Sequence, residues 1–203
     1  MTSIMVWGAP EKMAPRREND FCPTPWQATE AFMLAEAELL ERFDLICEPF
    51  CGDGAMAKVM ERYGKEVYAT DLIDRGYGQG GVDFLKTTSL PSNAMVSNPP
   101  FGDLAPLCVE HAILTLGVDY VALILKSHFF HAKSRRELFC RRPPARIHPY
   151  GWRVDFTGGG SQHTEMSMFV WDGIVEVGQT RYFPPLLEPQ CQNQTDMFSL
   201  LKK

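Results

Sequence analysis

The 203-residue sequence lacks any hydrophobic run long enough to span a bilayer, and its first ten residues lack the charged start and apolar core of a signal peptide. Its six cysteines include no Cys-x-x-Cys pair and no usual metal-ligand spacing. We therefore expect a soluble cytoplasmic protein with no membrane partner and no metal. A zinc site formed by Cys140, His128 and His131 is an alternative, although its spacing fits no common template.

An overall excess of positive charge is also absent. The formal net charge is −5, with 45% hydrophobic and 22% charged residues, which are ordinary globular values. This balance argues against nucleic-acid binding over the whole surface. The length predicts one domain with a small elaboration: an N-terminal arm at 1–20, the main domain at 21–180 and a C-terminal extension at 181–203. A homodimer is one arrangement that the sequence allows.

A stiff polar turn is formed by Asn98, Pro99, Pro100 and Phe101, which follow the apolar segment 93–97. Each proline fixes its own φ and disfavours the helical conformation in the residue before it, so the turn is rigid. The Asn98 amide oxygen and the Pro99 carbonyl offer two acceptors for the two hydrogens of an amino group. With the ring of Phe101 beside them, they suit a planar amine such as a nucleobase or a carboxamide. The alternative is an ordinary strand-to-helix loop, because Asn-Pro and Pro-Pro are common in turns.

A second pattern combines a strand at 44–50, the turn Cys51-Gly52-Asp53-Gly54, a helix at 55–63 and a strand at 66–70 that ends at Asp71. This is the order of a nucleotide-binding βαβ unit. The second half of the Gly-x-Gly-x-x-Gly fingerprint is missing, so a dinucleotide is not favoured.

The other segments complete an α/β pattern. Apolar spacing predicts helices at 26–43, with Thr24 and Pro25 as cap and first-turn proline, and at 104–116, where His111 is a packed or surface residue. Strands are predicted at 82–85, 93–97 and 120–125, and the glycine-rich segment 157–163 joins strands at 146–156 and 165–171 as an antiparallel hairpin. The fold class is therefore α/β, with a seven-stranded, mostly parallel sheet that ends in an antiparallel hairpin and has helices on both faces.

These residues resemble the S-adenosylmethionine-dependent amino-methyltransferases, in particular phage-type DNA adenine-N6 methyltransferases, from Asp20 to Asp172. The run 48–54 looks like the family's cofactor loop, 98–101 like its (D/N)PP(Y/F) catalytic motif, and 21–25 like the element ahead of the cofactor loop. Their order matches the gamma arrangement. The resemblance implies a Rossmann-like class I methyltransferase fold, S-adenosylmethionine as cofactor and duplex DNA as partner.

The resemblance also implies roles for individual residues. The implied cofactor-binding residues are Thr24, Pro25, Glu48, Phe50, Cys51, Gly52, Asp71, Leu72, Asp83 and Phe84. Glu48 would hold the methionine amine, Thr24 and Pro25 its carboxylate, and Asp71 the ribose hydroxyls. Leu72 and Phe84 would enclose the adenine ring, and Asp83 would accept from its amine; the alternative for Asp83-Phe84 is a solvated turn with one core aromatic. Asp53 is expected to shape the glycine turn.

The implied catalytic residues are those of the rigid turn, Asn98, Pro99, Pro100 and Phe101. Two acceptors would localise the lone pair of the target nitrogen toward the methyl group, so positioning and electrostatics would dominate the reaction. Phe101 would stack on an adenine flipped out of its duplex.

A basic segment runs from Lys126 to Arg153, with eight Lys or Arg residues against the single acid Glu137. Such a segment suits a phosphate-tracking surface, although charged runs are often only solvated helix faces. The residues predicted to contact DNA are Lys133, Arg135, Arg136, Arg141 and Arg142. A large target-recognition domain is absent from the pattern.

Other functions share parts of these motifs. An RNA adenine or guanine amino-methyltransferase, a cytosine-N4 methyltransferase and a protein glutamine N5-methyltransferase would all present an amino group to the same turn. A non-catalytic nucleotide-binding scaffold is the remaining alternative.

Overall fold

The centre of the computed structural model, which describes residues 21–159, 164–173, 180–183 and 185–189, is a seven-stranded sheet. The strands are β1 Leu45–Glu48, β2 Glu66–Ala69, β3 Ala94–Ser97, β4 Tyr120–Lys126, β5 Arg146–Pro149, β6 Met166–Asp172 and the two-residue β7 Arg181–Tyr182. Their order in the sheet is β2-β1-β3-β4-β6-β5-β7. The predicted arm at 1–20 lies outside the described residues.

The first four strands are parallel, and β6 runs antiparallel to both β4 and β5. This arrangement confirms the predicted α/β class, with a mostly parallel sheet that ends in an antiparallel hairpin. The edge strand β7 pairs parallel with β5 and lies at the start of the segment expected to be a surface extension.

Two predicted strands differ from the structure. Residues 82–85 are not a strand: Asp83 caps a 3-10 turn, Phe84–Lys86, by accepting a hydrogen bond from the Leu85 N–H at 3.2 Å. The strand expected at 146–156 ends at Pro149, beyond which Val154 and Phe156 turn into the core. In both places the sequence correctly indicated apolar residues that turn into the core, but the backbone that carries them is irregular and not an extended strand.

Helices cover both faces of the sheet. They are α1 Trp26–Ala35, α2 Ala37–Leu40, α3 Ala57–Arg62, α4 Leu104–Glu110 and α5 Arg136–Arg141, and α4 continues into a π-helical segment, His111–Thr115. Alternate residues of β4 enter two cores, with Ala122 packed beside Phe32 and Met60 on one face and Leu123 beside Val109 on the other. None of the helices in the described ranges is long and apolar enough to cross a membrane.

A buried network of charged groups ties the end of α1 to β5 and β6. Arg146 bonds Glu36 at 2.8 Å and Asp172 at 2.9 Å, and His148 Nε2 lies 2.7 Å from Glu36. Burial would raise the pKa of Glu36, but the hydrogen bonds from His148 and Arg146 and the charge of Arg146 outweigh it and lower that pKa. Arg146, one of the eight cations of the basic segment, is therefore internal.

Candidate active site

The carboxyl ends of β1, β2 and β3 open onto a cavity of about 420 Å³, a volume typical of a small-molecule site. The predicted site residues that line it are Thr24, Glu48, Phe50, Cys51, Gly52, Asp71, Leu72, Asp83, Phe84, Asn98, Pro99, Pro100 and Phe101. Pro25 lies beside it as the N-cap of α1. The sheet thus brings together segments that are up to 77 positions apart, from Thr24 to Phe101.

The glycine turn after β1 requires backbone that other residues rarely adopt. Gly52 and Gly54 have φ values of +56° and +79°. A Cβ on Gly54 would lie 2.5 Å from the ring of Tyr77. Asp53 accepts a hydrogen bond from the Ala55 N–H at 3.1 Å, which confirms that its side chain shapes the turn.

Asp71, at the end of β2, is oriented by this turn. Its Oδ2 accepts from the Gly52 N–H at 2.9 Å, and its Oδ1 accepts from the Ile73 N–H at 2.9 Å. A carboxylate oxygen can accept more than one hydrogen bond, so both oxygens keep capacity for hydroxyl donors. Two backbone donors therefore hold a carboxylate in place at the cavity wall.

Glu48, the last residue of β1, is only 1% exposed, and its Oε2 has no hydrogen-bond partner among the described residues. Burial raises the pKa of this carboxyl well above its ordinary value; a hydrogen bond from the Ala57 backbone opposes the rise, and the charge of Asp71 reinforces it. An unsatisfied carboxyl at a cavity wall is costly unless a ligand supplies a donor. A cationic amine would supply both a donor and a compensating charge.

The cavity as a whole favours positive charge. Four acids line it, Glu48, Asp53, Asp71 and Asp83, whereas Arg75 is the one base among the described lining residues. An anionic ligand such as a nucleotide phosphate would meet mostly like charge here, whereas a cation would be attracted.

Asn98 directly follows β3, and its side chain is fixed by Thr24. The Asn98 Nδ2 donates to the Thr24 Oγ1 at 3.0 Å, while the buried Oδ1 has no partner in the described part of the chain. The prediction that Thr24 caps α1 is wrong: Pro25 is the N-cap and provides no side-chain hydrogen bond. The Thr24 hydroxyl instead orients an amide whose oxygen lacks a partner.

The rest of the rigid turn places an aromatic ring beside this amide. Pro99 is buried, Pro100 is exposed and Phe101 is half-buried at the cavity. The ring of Phe101 meets the ring of Phe156 edge to face, with centroids 5.8 Å apart. Phe156, in the loop after β5, therefore helps to hold the ring of Phe101 in place.

Phe84 forms an apolar wall of the cavity. Its ring is 3% exposed and packs edge to face against Phe50 at 5.1 Å and His111 at 5.2 Å. His111 Nε2 lies 2.9 Å from the Thr87 carbonyl, which confirms His111 as a packed helical residue. Leu72 is 55% exposed. An adenine ring between Phe84 and Leu72 stays a prediction.

Asp83 makes the contacts of a turn residue. Besides accepting from the Leu85 N–H, its carboxylate pairs with Lys86 at 3.0 Å, and the hydrogen bond from Lys86 lowers the pKa of Asp83. These contacts match the alternative of a solvated turn beside a core aromatic, and contact with an adenine amine stays a prediction.

Sequence reasoning gave no site role to Phe21, although it lies in the 21–25 element, and missed Arg75; both also line the cavity. The Arg75 guanidinium lies 4.4 Å from the centroid of the Phe21 ring, and a Cβ on Gly52 would collide with that ring. The position of Phe21, an aromatic residue just ahead of Thr24-Pro25, is a signal that could have indicated it as a site residue. Arg75 has no such signal, because its position depends on how the loop after β2 folds back.

The basic segment is not a single patch beside the cavity. Lys133, Arg136, Arg141 and Arg142 are exposed, whereas half-buried Arg135 donates to the Phe129 carbonyl. The segment leaves the sheet at the carboxyl end of β4 and returns at the start of β5, which is the opposite edge. Accordingly the Arg142 carbonyl accepts from the Trp171 indole, near the start of β4, at 2.9 Å. DNA contact by the five predicted residues stays a prediction.

Metal ligands do not cluster in the described ranges: no group of three His, Cys, Asp or Glu residues there could hold an ion. Neither a family model nor a curated protein matches the sequence.

Solved structures do match the fold. A proposed RNA methyltransferase of Pyrococcus horikoshii has a TM-score of 0.62 and 12% identity, over 81% of this chain and 95% of its own. A proposed class I S-adenosylmethionine-dependent methyltransferase of Listeria monocytogenes has 0.56 and 13%, over 88% and 69%. The modification subunit of a proposed type I restriction enzyme of Vibrio vulnificus has 0.54 and 11%, over 86% of this chain but 49% of its own. The chain therefore has the predicted Rossmann-like fold of class I methyltransferases.

Proposed function

We propose that this protein is an S-adenosylmethionine-dependent methyltransferase that acts on the exocyclic N6 amine of adenine in DNA. One observation carries the proposal: two buried side-chain oxygens without partners among the described residues, Glu48 Oε2 and Asn98 Oδ1, belong to residues that line one cavity. A cofactor amine would satisfy the first oxygen, and the amine of a substrate would satisfy the second.

The walls of the cavity fit this cofactor. S-adenosylmethionine carries a sulfonium and an ammonium charge, and bound there it would supply an electrophilic methyl group. Glu48 would accept from the ammonium group, Asp71 from the ribose hydroxyls, and Phe84 would contact the adenine ring. The four acids of the lining support a cationic cofactor over a nucleotide phosphate.

The rigid turn would prepare the nucleophile. Thr24 holds the Asn98 amide by its nitrogen, which leaves the amide oxygen and the Pro99 carbonyl to accept the two hydrogens of an amine. This pairing would localise the lone pair of the target nitrogen, and the amine proton can leave after transfer. Phe101 would hold the ring of a base that has left its stack.

Exposed positive charge in the segment after β4 favours nucleic acid as the substrate class. The segment that carries the exposed cations Lys133 and Arg136 leaves the sheet at the carboxyl end of β4, and β4 pairs with β3, the strand that Asn98 follows. The resemblance of residues 98–101 to the adenine-N6 catalytic motif supports DNA, whereas one structural neighbour is a proposed RNA methyltransferase.

Tritium transfer from labelled S-adenosylmethionine tests this proposal. Duplex DNA, RNA of matched sequence and total protein are offered in parallel, and the labelled nucleoside is identified. We expect label in N6-methyladenine of DNA. Label in RNA or protein would contradict the DNA assignment, and no label in any of the three would contradict methyl transfer itself.

Asn98→Ala tests the assigned chemistry within the same assay. We expect transfer to fall by at least about 100-fold, the scale of losing one transition-state hydrogen bond, with near-normal cofactor binding. Asn93→Ala is the matched control, because Asn93 is an exposed asparagine just before β3, at the opposite edge of the sheet. Full activity of Asn98→Ala would refute the role of the amide.

A further inference from the structure

A second cavity, of about 440 Å³, lies at the same edge of the sheet as Asn98. Ser127 follows β4, Pro149 ends β5 and Glu165 precedes β6, and all three line it. Because β6 is antiparallel to β4, these ends meet at the edge where β3 delivers Asn98. The strands are about 4.8 Å apart, so the end of β5 that leads to Trp152 lies three strand spacings, or about 14 Å, from the end of β3 that leads to Asn98.

The walls of this second cavity combine rings, hydroxyls and a cation. Phe130 is 38% exposed, Trp152 is half-buried and Arg153 is exposed. Deeper in the cavity, the hydroxyls of Ser127 and Ser167 share a hydrogen bond of 2.8 Å. Sites for single-stranded nucleic acid combine such stacking rings with positive charge along the backbone path.

Trp152 is well placed to be a stacking platform. Its ring is held edge to face against buried Tyr150, with centroids 5.1 Å apart, and the Tyr150 hydroxyl donates to the Ala28 carbonyl at 3.2 Å. Arg153, the next residue, brings a positive charge to the same cavity. The charge of this lining is balanced between Arg153 and Glu165, unlike the acidic lining of the first cavity.

We propose that the second cavity binds an unpaired base of the strand that carries the target, with Trp152 stacking on the base and Arg153 pairing with a phosphate. The inference rests on the proposed function. The separation of about 14 Å corresponds to roughly four nucleotides at a stacked spacing of about 3.4 Å, so the base is three or four positions from the target. A second base held this far along the edge keeps the strand open around the flipped adenine.

The test uses a labelled single-stranded thymidine dodecamer with one central adenine, and a set in which the base at each other position is removed in turn. Binding is measured by fluorescence anisotropy and methyl transfer by tritium. We expect base removal at one position, three or four nucleotides from the adenine, to weaken wild-type binding about tenfold, the loss of one base–aromatic stack. Trp152→Ala should show the same loss with the intact dodecamer and no further loss on base removal.

Two further variants separate stacking from folding. Trp152→Phe should restore most of the affinity, because it keeps a ring in place. Arg153→Gln, at an exposed position, should weaken binding and reduce the salt dependence by about one counterion. Cofactor binding and the melting temperature of each variant report whether it is folded.

Equal binding by wild type, Trp152→Ala and Arg153→Gln, with methyl transfer intact, would overturn this inference alone. A wild-type protein that methylates duplex DNA but does not bind the dodecamer would also overturn the second base site alone, whereas transfer to neither duplex DNA nor RNA in the tritium assay would overturn the nucleic-acid function and the second base site with it.

Discussion

Glu48→Gln should make the free protein more stable and cofactor binding weaker. The variant keeps nearly the same shape in a side chain that is 1% exposed, and it replaces a carboxyl that can ionise with an amide that cannot. Because burial raises the pKa of Glu48, the folded protein keeps this proton at pH values above about 4.3, where the unfolded chain loses it.

The magnitude on stability follows from this difference. Wild-type stability falls as the pH rises from about 4.3 toward the raised pKa, by about 1.4 kcal/mol for each pH unit in that interval. The variant lacks this slope, so its free energy of unfolding should exceed that of wild type at about pH 8. Urea unfolding at several pH values measures the difference.

The effect on the cofactor has the opposite sign. Removing one partner of a buried charge pair costs about 2–5 kcal/mol, and the cost of ionising Glu48 offsets part of it. We expect a net loss of about 2 kcal/mol, or roughly 30-fold in the dissociation constant for S-adenosylmethionine. Wild-type affinity should also rise with pH up to the raised pKa, because binding requires the ionised carboxylate.

Isothermal titration calorimetry in two buffers of different ionisation enthalpy measures both affinity and proton release. Wild type should release a proton on binding, and Glu48→Gln should not. Glu66→Gln, the same change at an exposed position in β2, is the control and should behave as wild type. The reasoning is refuted if Glu48→Gln binds the cofactor within threefold of wild type, or if proton release is the same in both.

Three further substitutions test the supports of the site. Thr24→Val should lower kcat about tenfold at saturating cofactor by releasing the Asn98 amide, whereas Thr24→Ser should retain it; equal rates would show that the amide needs no such support. Gly54→Ala should lower the melting temperature by more than about 5 °C, because it adds a clash with Tyr77, whereas Gly64→Ala, at a similar φ of +77° but with nothing within 4 Å, should lower it less; equal losses would exclude the clash. Glu36→Ala should cost about 3–5 kcal/mol in urea unfolding, because it leaves buried Arg146 with Asp172 alone as a carboxylate partner and removes the partner of His148, against little change for exposed Glu38→Ala; a small loss would contradict the network.

Local patterns in the sequence predicted much of the fold. The continuous apolar run of β4 indicated a strand buried on both faces, and it is buried from Tyr120 to Leu125. The glycine turn at 51–54 was predicted because glycine tolerates the φ values that a tight turn requires, and Gly52 and Gly54 adopt them. Segment 82–85 was predicted wrongly, because the Asp83 side chain caps a 3-10 turn there and competes with an extended strand.

The sequence by itself therefore determined the elements, their order and the residue types that reach the carboxyl edge of the sheet, since these follow from short-range backbone preferences. Only the tertiary structure decided which side chains meet. Thr24 holds Asn98 across 74 positions and Arg146 meets Glu36 across 110, because the sheet order places distant segments side by side. The second cavity has the same origin: its rings and hydroxyls come from separate loops that become neighbours only when β6 inserts between β4 and β5.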